Sequence, residues 1–182
     1  MRKVVILGAT GSIGRQCLEV LEGQSGFSVV GLAANSRWEE LLDAVVRHRP
    51  RFVAMVNAEA SKCLARALSE RGCSGVQVLQ GHEGVSELAA LEEADIVVHA
   101  IPGFEGLRSL LAAVQAGKTV AFAGKESLVS AGDLIERTMQ RTGAKLIPVD
   151  SEHNAIFQCL AGEDRETRIR HNSDRLGRTF LG

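Results

Sequence analysis

Seven short apolar runs, at residues 4–7, 29–33, 52–56, 76–79, 96–101, 119–123 and 146–149, punctuate the sequence. Several are apolar at every position. A strand needs that only when both faces of its sheet are covered. Helix-like patterns lie between the runs: Ile13, Cys17, Leu18 and Leu21 share one face, and Leu64, Ala67 and Leu68 another. Leu107, Leu110, Leu111 and Val114 make a third face; Leu128, Leu134, Ile135 and Met139 extend a fourth, weakened at its start by Gly132. Strands alternating with helices connect through crossovers, so the expected fold is α/β, a Rossmann-like, doubly wound and mostly parallel sheet. No internal repeat or low-complexity tract interrupts it. A chain of 182 residues, 45% apolar, is long enough for one domain with a sizeable core.

The 21 basic and 22 acidic side chains give a formal charge of −1. No global basic field points to nucleic acid. Local groups still suffice to bind a phosphorylated small molecule. Cys17, Cys63, Cys73 and Cys159 are widely spread and form no C-x-x-C, which fits reduced thiols in an intracellular protein. The start MRKVVILG meets glycine at once and does not read as a signal peptide. No apolar stretch approaches the roughly 18 residues of a membrane span. The expected location is the cytoplasm.

The first run leads into GATGSIG, with glycines at 8, 11 and 14. A tight turn needs small residues there, and close approach of pyrophosphate to backbone excludes Cβ atoms. Thr10, Gly11, Ser12 and Ile13 would set amides and hydroxyls at a helix N-terminus, where the dipole favours phosphate. A plain glycine turn is the competing reading. The placement between an apolar strand and an amphipathic helix favours the nucleotide site, and no G-K-[ST] follows to make it a Walker loop. The second run ends in Asn35, Ser36 and Arg37, with no acid before Glu39. An NAD site usually carries an acid at that point for the ribose hydroxyls. Arg37 and Ser36 suit a 2′-phosphate instead, so NADPH is expected ahead of NADH. Trp38 either flanks the adenine or caps the core.

Further along, His99 lies inside an apolar run and reads as a satisfied core histidine rather than a catalyst. The sixth run ends in AFAGKESLV and the seventh in PVDSEHNAIFQ. Lys125 and Glu126, then Asp150, Ser151 and Glu152, thus stand at successive strand ends, where a doubly wound sheet forms its ligand crevice. Asp150 or Ser151 also suits a helix N-cap. With Ser151 as the cap, Asp150 and Glu152 can approach one hard cation, Mg²⁺ or Mn²⁺. Spacing leaves both readings open.

GATGSIG, AGKESLV and PVDSEHNAIFQ, in that order, resemble the 1-deoxy-D-xylulose 5-phosphate reductoisomerase family over about residues 1 to 162. The resemblance implies an NADPH- and divalent-metal-dependent enzyme of the non-mevalonate isoprenoid route. It would convert 1-deoxy-D-xylulose 5-phosphate to 2-C-methyl-D-erythritol 4-phosphate by retro-aldol cleavage, re-addition and hydride reduction. Residues 10 to 13 would hold the cofactor phosphates, with Gly8 and Gly14 shaping the turn. Ser36 and Arg37 would lie near the 2′-phosphate, and Gly124 and Glu126 on the cofactor side. Lys125, Ser151 and Glu152 would contact substrate, while Asp150 and Glu152 would be metal ligands. The full-length family is expected to form a homodimer.

Two departures stand out. Where the family has Asn-Lys-Glu, this chain has Gly124-Lys125-Glu126, which removes one polar contact near the cofactor. After residue 162 the family pattern is lost. The last twenty residues carry five arginines and scattered apolar side chains, an irregular tail. Codons GAC-CGC-CTC-GGG-CGG for Asp-Arg-Leu-Gly-Arg, shifted by one base, begin Thr-Ala-Ser-Gly-Gly, the family run expected near this point. A frameshift around residues 167–173 is therefore expected. The organisation expected is an NADPH-binding domain at 1–150, the start of the catalytic and metal-binding region at 151–162, and a frameshifted tail at 163–182. Such a chain should bind cofactor and turn over poorly. Another NADP-dependent dehydrogenase and a non-catalytic dinucleotide-binding module are the alternatives. Activity on semialdehydes would expose the first, and nucleotide binding without a metal requirement the second.

Overall fold

The computed structural model describes residues 1–149, apart from the side chains of 125–130. Among the described residues seven strands form one sheet: β1 (Arg2–Leu7), β2 (Phe27–Ala34), β3 (Phe52–Met55), β4 (Gln77–Gln80), β5 (Ile96–His99), β6 (Thr119–Phe122) and β7 (Lys145–Pro148). Their order is β4-β3-β2-β1-β5-β6-β7, and every neighbouring pair is parallel. All seven apolar runs are thus strands of an α/β doubly wound sheet. The connecting helices are α1 (Ser12–Glu22), α2 (Trp38–His48), α3 (Ala58–Glu70), α4 (Gly81–Ala89), α5 (Leu107–Gln115) and α6 (Lys125–Thr142).

Alternation along β1 divides the core in two. Val5 and Leu7 point to one face, where Leu88 of α4, Leu110 of α5 and Ile135 of α6 meet them. Val4 and Ile6 point to the other, against Leu18 of α1, Leu41 of α2 and Leu64 of α3. Both faces are covered, so β1 is buried from Val4 to Leu7. That explains why its apolar run is continuous rather than alternating. Burying a side chain of this size is worth about 1.5–3 kcal/mol. Val4, Val5, Ile6 and Leu7 therefore make the first strand the spine of the domain.

Some boundaries differ from the sequence expectation. The fifth apolar run extends to Ile101, but β5 ends at His99. Ala100 still donates to Leu7 O at 2.9 Å before the chain turns away. Near Gly132, where the pattern is weakened, α6 is kinked: Ala131 has φ −131° and ψ 18°, outside the helical range. Ile13 is exposed in the first turn of α1, while Leu18 is buried. Cys17, Cys63 and Cys73 are free thiols, and burial pushes the Cys17 thiol up from its ordinary value. Cys159 lies outside the described residues. Among the described residues no helix is long and apolar enough to cross a membrane.

Candidate functional site

Strand order reverses beside β1: the chain runs outward from β1 through β2 on one side, and from β5 through β6 on the other. The α1 and α5 crossovers therefore leave the sheet on opposite faces. This switch point opens a crevice beyond the carboxyl ends of the strands, where ligands bind in open α/β sheets. A cavity of about 350 Å³ occupies it. Its floor is Gly8, Thr10 and Gly11, one wall is Ala33 to Arg37, and the other is Ala100, Ile101 and Pro102.

The glycine turn is built by close approach. Gly8 has φ +83°, and a Cβ there would stand 2.5 Å from Ala100 O. Gly8 N and Ala9 N both donate to Ala33 O, at 3.0 and 2.8 Å, which ties the turn to β2. Gly11 N donates to Gly8 O at 2.9 Å and closes the turn. Gly14 does not line the cavity. A Cβ on it would fall 2.3 Å from Gly8 O, so this glycine lets α1 press against the turn. No side chain caps α1 at Gly11. Its first-turn amides have no intrahelical acceptors, and the dipole adds positive potential there. Ser12 and Ile13 contribute to that turn without lining the cavity, and the Ser12 hydroxyl accepts from Gln16 Nε2 at 3.2 Å.

At the end of β2, Asn35, Ser36 and Arg37 line the cavity. Arg37 Nη1 lies 3.4 Å from each carboxylate oxygen of Glu40, in the first turn of α2. The acids near this corner, Glu39 and Glu40, therefore belong to the helix and not to the strand end. Trp38 is half-buried and packs against the α1–α3 core, next to Arg37 of the cavity wall.

The remaining wall escaped sequence reasoning. His82 and Ser86 of α4, then Glu105, Arg108 and Ser109, also line the cavity. Ser86 Oγ donates to His82 O at 2.9 Å, and Arg108 Nη1 donates to Glu83 at 2.8 Å. His99 secures this wall from behind. Its Nε2 lies 2.9 Å from Gly106 O and 3.0 Å from Ser109 Oγ. A carbonyl only accepts, so Nε2 carries the proton. The ring also meets Phe122, with centroids 5.4 Å apart. Burial pushes the imidazole down to about 4, so it is neutral at physiological pH. His99 is a core residue, as expected, but only half satisfied: Nε2 is bonded and fixes the turn at Phe104–Gly106, whereas the buried Nδ1 has no hydrogen-bond partner among the described residues.

Gly124 follows β6, is buried, and does not line the cavity. A Cβ there would lie 3.0 Å from the Phe122 ring, so Phe122 takes the space of a larger residue. Lys125 and Glu126 begin α6. Their side chains, and all of Asp150, Ser151 and Glu152, lie outside the described residues. Among the described residues no group of three or more His, Cys, Asp or Glu is arranged to hold a metal.

The described arrangement can hold a dinucleotide: a phosphate cradle, a ribose corner with a basic side chain, and an apolar wall. Known proteins extend this. A family model described as 1-deoxy-D-xylulose 5-phosphate reductoisomerase matches residues 4–132. The curated 1-deoxy-D-xylulose 5-phosphate reductoisomerase of Heliobacterium modesticaldum is 49% identical over 166 residues, covering 91% of this chain and 42% of its own length. A solved structure of the Zymomonas mobilis enzyme, in complex with NADPH, superposes with a TM-score of 0.84 at 41% identity. It spans 91% of this chain, which covers 43% of it. A DOX-P reductoisomerase in complex with NADPH, fosmidomycin and magnesium gives 0.87 at 39% identity, over 95% of this chain and 43% of that one. The chain thus spans about two fifths of the length of the curated relatives it matches. With a family model over most of its described length and close to half of its residues shared, this chain belongs to the 1-deoxy-D-xylulose 5-phosphate reductoisomerase family.

Proposed function

We propose that this chain supplies the nucleotide-binding part of an enzyme that isomerises and reduces 1-deoxy-D-xylulose 5-phosphate to 2-C-methyl-D-erythritol 4-phosphate with NADPH. The observation that carries this reading is the glycine cradle at the switch point, where a Cβ at Gly8 would strike Ala100 O. The turn keeps its backbone bare beside the uncapped start of α1, as a pyrophosphate requires. Amides of residues 10 to 13 bind that group. Ser36 and Arg37 face the 2′-phosphate and favour NADPH over NADH.

Residues 124 to 126 follow the neighbouring strand β6, and Gly124 and Glu126 take the cofactor side in this reading. Lys125, Ser151 and Glu152 contact the phosphorylated substrate. Asp150 and Glu152 would hold Mg²⁺ or Mn²⁺, since hard cations prefer carboxylate oxygens. When bound, NADPH supplies the hydride and the divalent ion neutralises charge on substrate oxygens. The protein's own part is orientation: it fixes reacting groups at near-contact distance.

In this reading residues 1–150 are the nucleotide domain, 151–162 open the catalytic region and 163–182 are read in a shifted frame. The full-length protein is a cytoplasmic homodimer. The 182-residue chain alone presents one side of the reaction site, so it binds NADPH and turns over poorly. NADPH consumption with 1-deoxy-D-xylulose 5-phosphate and Mg²⁺, run beside NADPH titration calorimetry, checks this. NADPH binding weaker than in an intact enzyme, with little turnover, is expected. Absence of NADPH binding would overturn the cofactor reading, and rapid turnover would overturn the assignment of a half-site. DNA sequence through codons 140 to 182 and beyond tests the frame: an uninterrupted stop with no family continuation in a neighbouring frame rejects the shift.

A further inference from the structure

Two arginines from different elements converge on one carboxylate beside the cavity. Arg37, at the end of β2, lines the cavity and reaches both Glu40 oxygens at 3.4 Å. Arg15, on α1, places Nη1 3.6 Å from Glu40 Oε2, the oxygen that Arg37 also meets. These contacts are longer than the roughly 2.7–2.9 Å of a close charge-assisted hydrogen bond. All three side chains are about half exposed. Exposed pairs of this kind contribute little stability and exchange readily. A single oxygen shared by two guanidiniums also marks a point where an anion with several acceptor oxygens would be better served.

In a dinucleotide fold the adenosine ribose lies at the end of the second strand, here beside Asn35, Ser36 and Arg37. We propose that Arg15 is a second specificity residue for the phosphorylated ribose and that Glu40 is its exchangeable counter-anion. In the free protein Glu40 holds both guanidiniums toward the corner. A bound 2′-phosphate replaces the carboxylate and accepts from Arg15 and Arg37 together. The inference rests on the NADPH reading and adds what that reading lacks: a role for a residue outside the glycine turn's phosphate contacts, and one for an acid at an otherwise basic corner. Glu40 opposes a phosphate until it is displaced, so its removal strengthens NADPH binding, whereas loss of Arg15 weakens it. NADH carries no 2′-phosphate and is indifferent to both.

The test is titration calorimetry of the 182-residue chain with NADPH and with NADH. Arg15→Gln should weaken NADPH about tenfold and leave NADH within about twofold, as for one charge-assisted contact at a half-exposed site. Arg15→Lys should recover part of the loss. Glu40→Gln should strengthen NADPH by about two- to threefold without changing NADH, the gain from removing one screened like charge. A wild-type preference for NADPH that Arg15→Gln leaves intact overturns this inference alone. So does an equal weakening of both nucleotides, which would mark a structural effect on the glycine turn. A wild-type chain that does not prefer NADPH overturns the cofactor reading, and this inference with it.

Discussion

The two ends of the sheet treat polar groups in opposite ways. At the amino end the charges satisfy one another. Lys3 Nζ lies 2.7 Å from Glu93, and Arg51 Nη1 reaches the same carboxylate at 3.0 Å. Hydrogen bonding to Lys3, reinforced by Arg51, holds the Glu93 carboxyl below its usual range. Lys118 Nζ donates to Glu92 O and Ala94 O, each at 2.9 Å, and Lys3 N donates to Asp95 at 2.7 Å. These bonds clip the entry of β5 to its neighbours. At the carboxyl end the turn after β1 is stripped of side chains at Gly8, Gly11 and Gly14, the start of α1 is uncapped, and the basic corner shares one acid. One end is closed by internal pairing; the other pairs some side chains too but keeps the first-turn amides of α1 uncapped. The same strands serve both, so rigidity at one end supports openness at the other.

The comparison is broken most severely at Gly14. Gly14→Ala sets a Cβ 2.3 Å from Gly8 O, and backbone on both sides resists displacement. We expect a loss of about 3 kcal/mol or more in chemical denaturation, with NADPH affinity reduced at least tenfold by the order of one misplaced phosphate contact. Unchanged affinity would mean that the cradle tolerates a shift of α1.

Next comes acid sensitivity behind the wall of the cavity. The folded His99 binds its proton less tightly than an ordinary histidine at 6.5, with its own value at about 4. Between those values the unfolded chain holds more protons. The His99 contribution is therefore complete above pH 6.5 and is lost as pH falls toward 4, to the extent of about 3 kcal/mol. Denaturation of His99→Gln across this window should give a shallower pH slope than the wild type; equal slopes would deny the buried neutral imidazole.

Gly124→Asn comes third. The new side chain must displace the Phe122 ring, which stands 3.0 Å from the point a Cβ would occupy, at a cost of about 1–3 kcal/mol. Phe122→Leu combined with Gly124→Asn should melt higher than Gly124→Asn alone. The smallest effect belongs to the amino end: Glu93→Gln should leave NADPH affinity unchanged and lower the melting temperature least of the set. A change in affinity there would couple the two ends.

Strand positions are the most legible part of the sequence, because burial on both faces writes each strand as a continuous apolar run. Their ends are less so. Ala100 and Ile101 are as apolar as β5 itself, yet they leave the ladder to line the cavity, a change that tertiary placement decides. Two helices, α2 and α4, go unread in the sequence, only one of them for lack of signal. Leu41, Leu42 and Val45 give α2 a usable stripe, whereas α4 is short and carries Gly81 and Gly84. His82 and Ser86 go unnoticed with it. Gly8, Thr10 and Gly11 of the glycine turn line the cavity, and so do Ser36 and Arg37 at the end of β2. Gly14 has a packing role that the same motif carries in its third glycine. No local pattern links Arg15 to Glu40, since the pair exists only after α1 and α2 are laid side by side.

The position of β1 also has a consequence for biosynthesis. Among the described strands it is the first to be synthesised and the central one of the sheet. One of its edges pairs with β2 soon afterwards, but the other waits for β5, with Lys3 and Asp95 separated by 92 residues. At about 5–20 residues per second, that gap is roughly 5–20 s of translation. During it a strand apolar from Val4 to Leu7 carries an open row of backbone donors and acceptors, the kind of edge that recruits wrong partners. The reversal of strand order that creates the nucleotide crevice therefore also sets the interval in which the nascent chain is most exposed to misassembly.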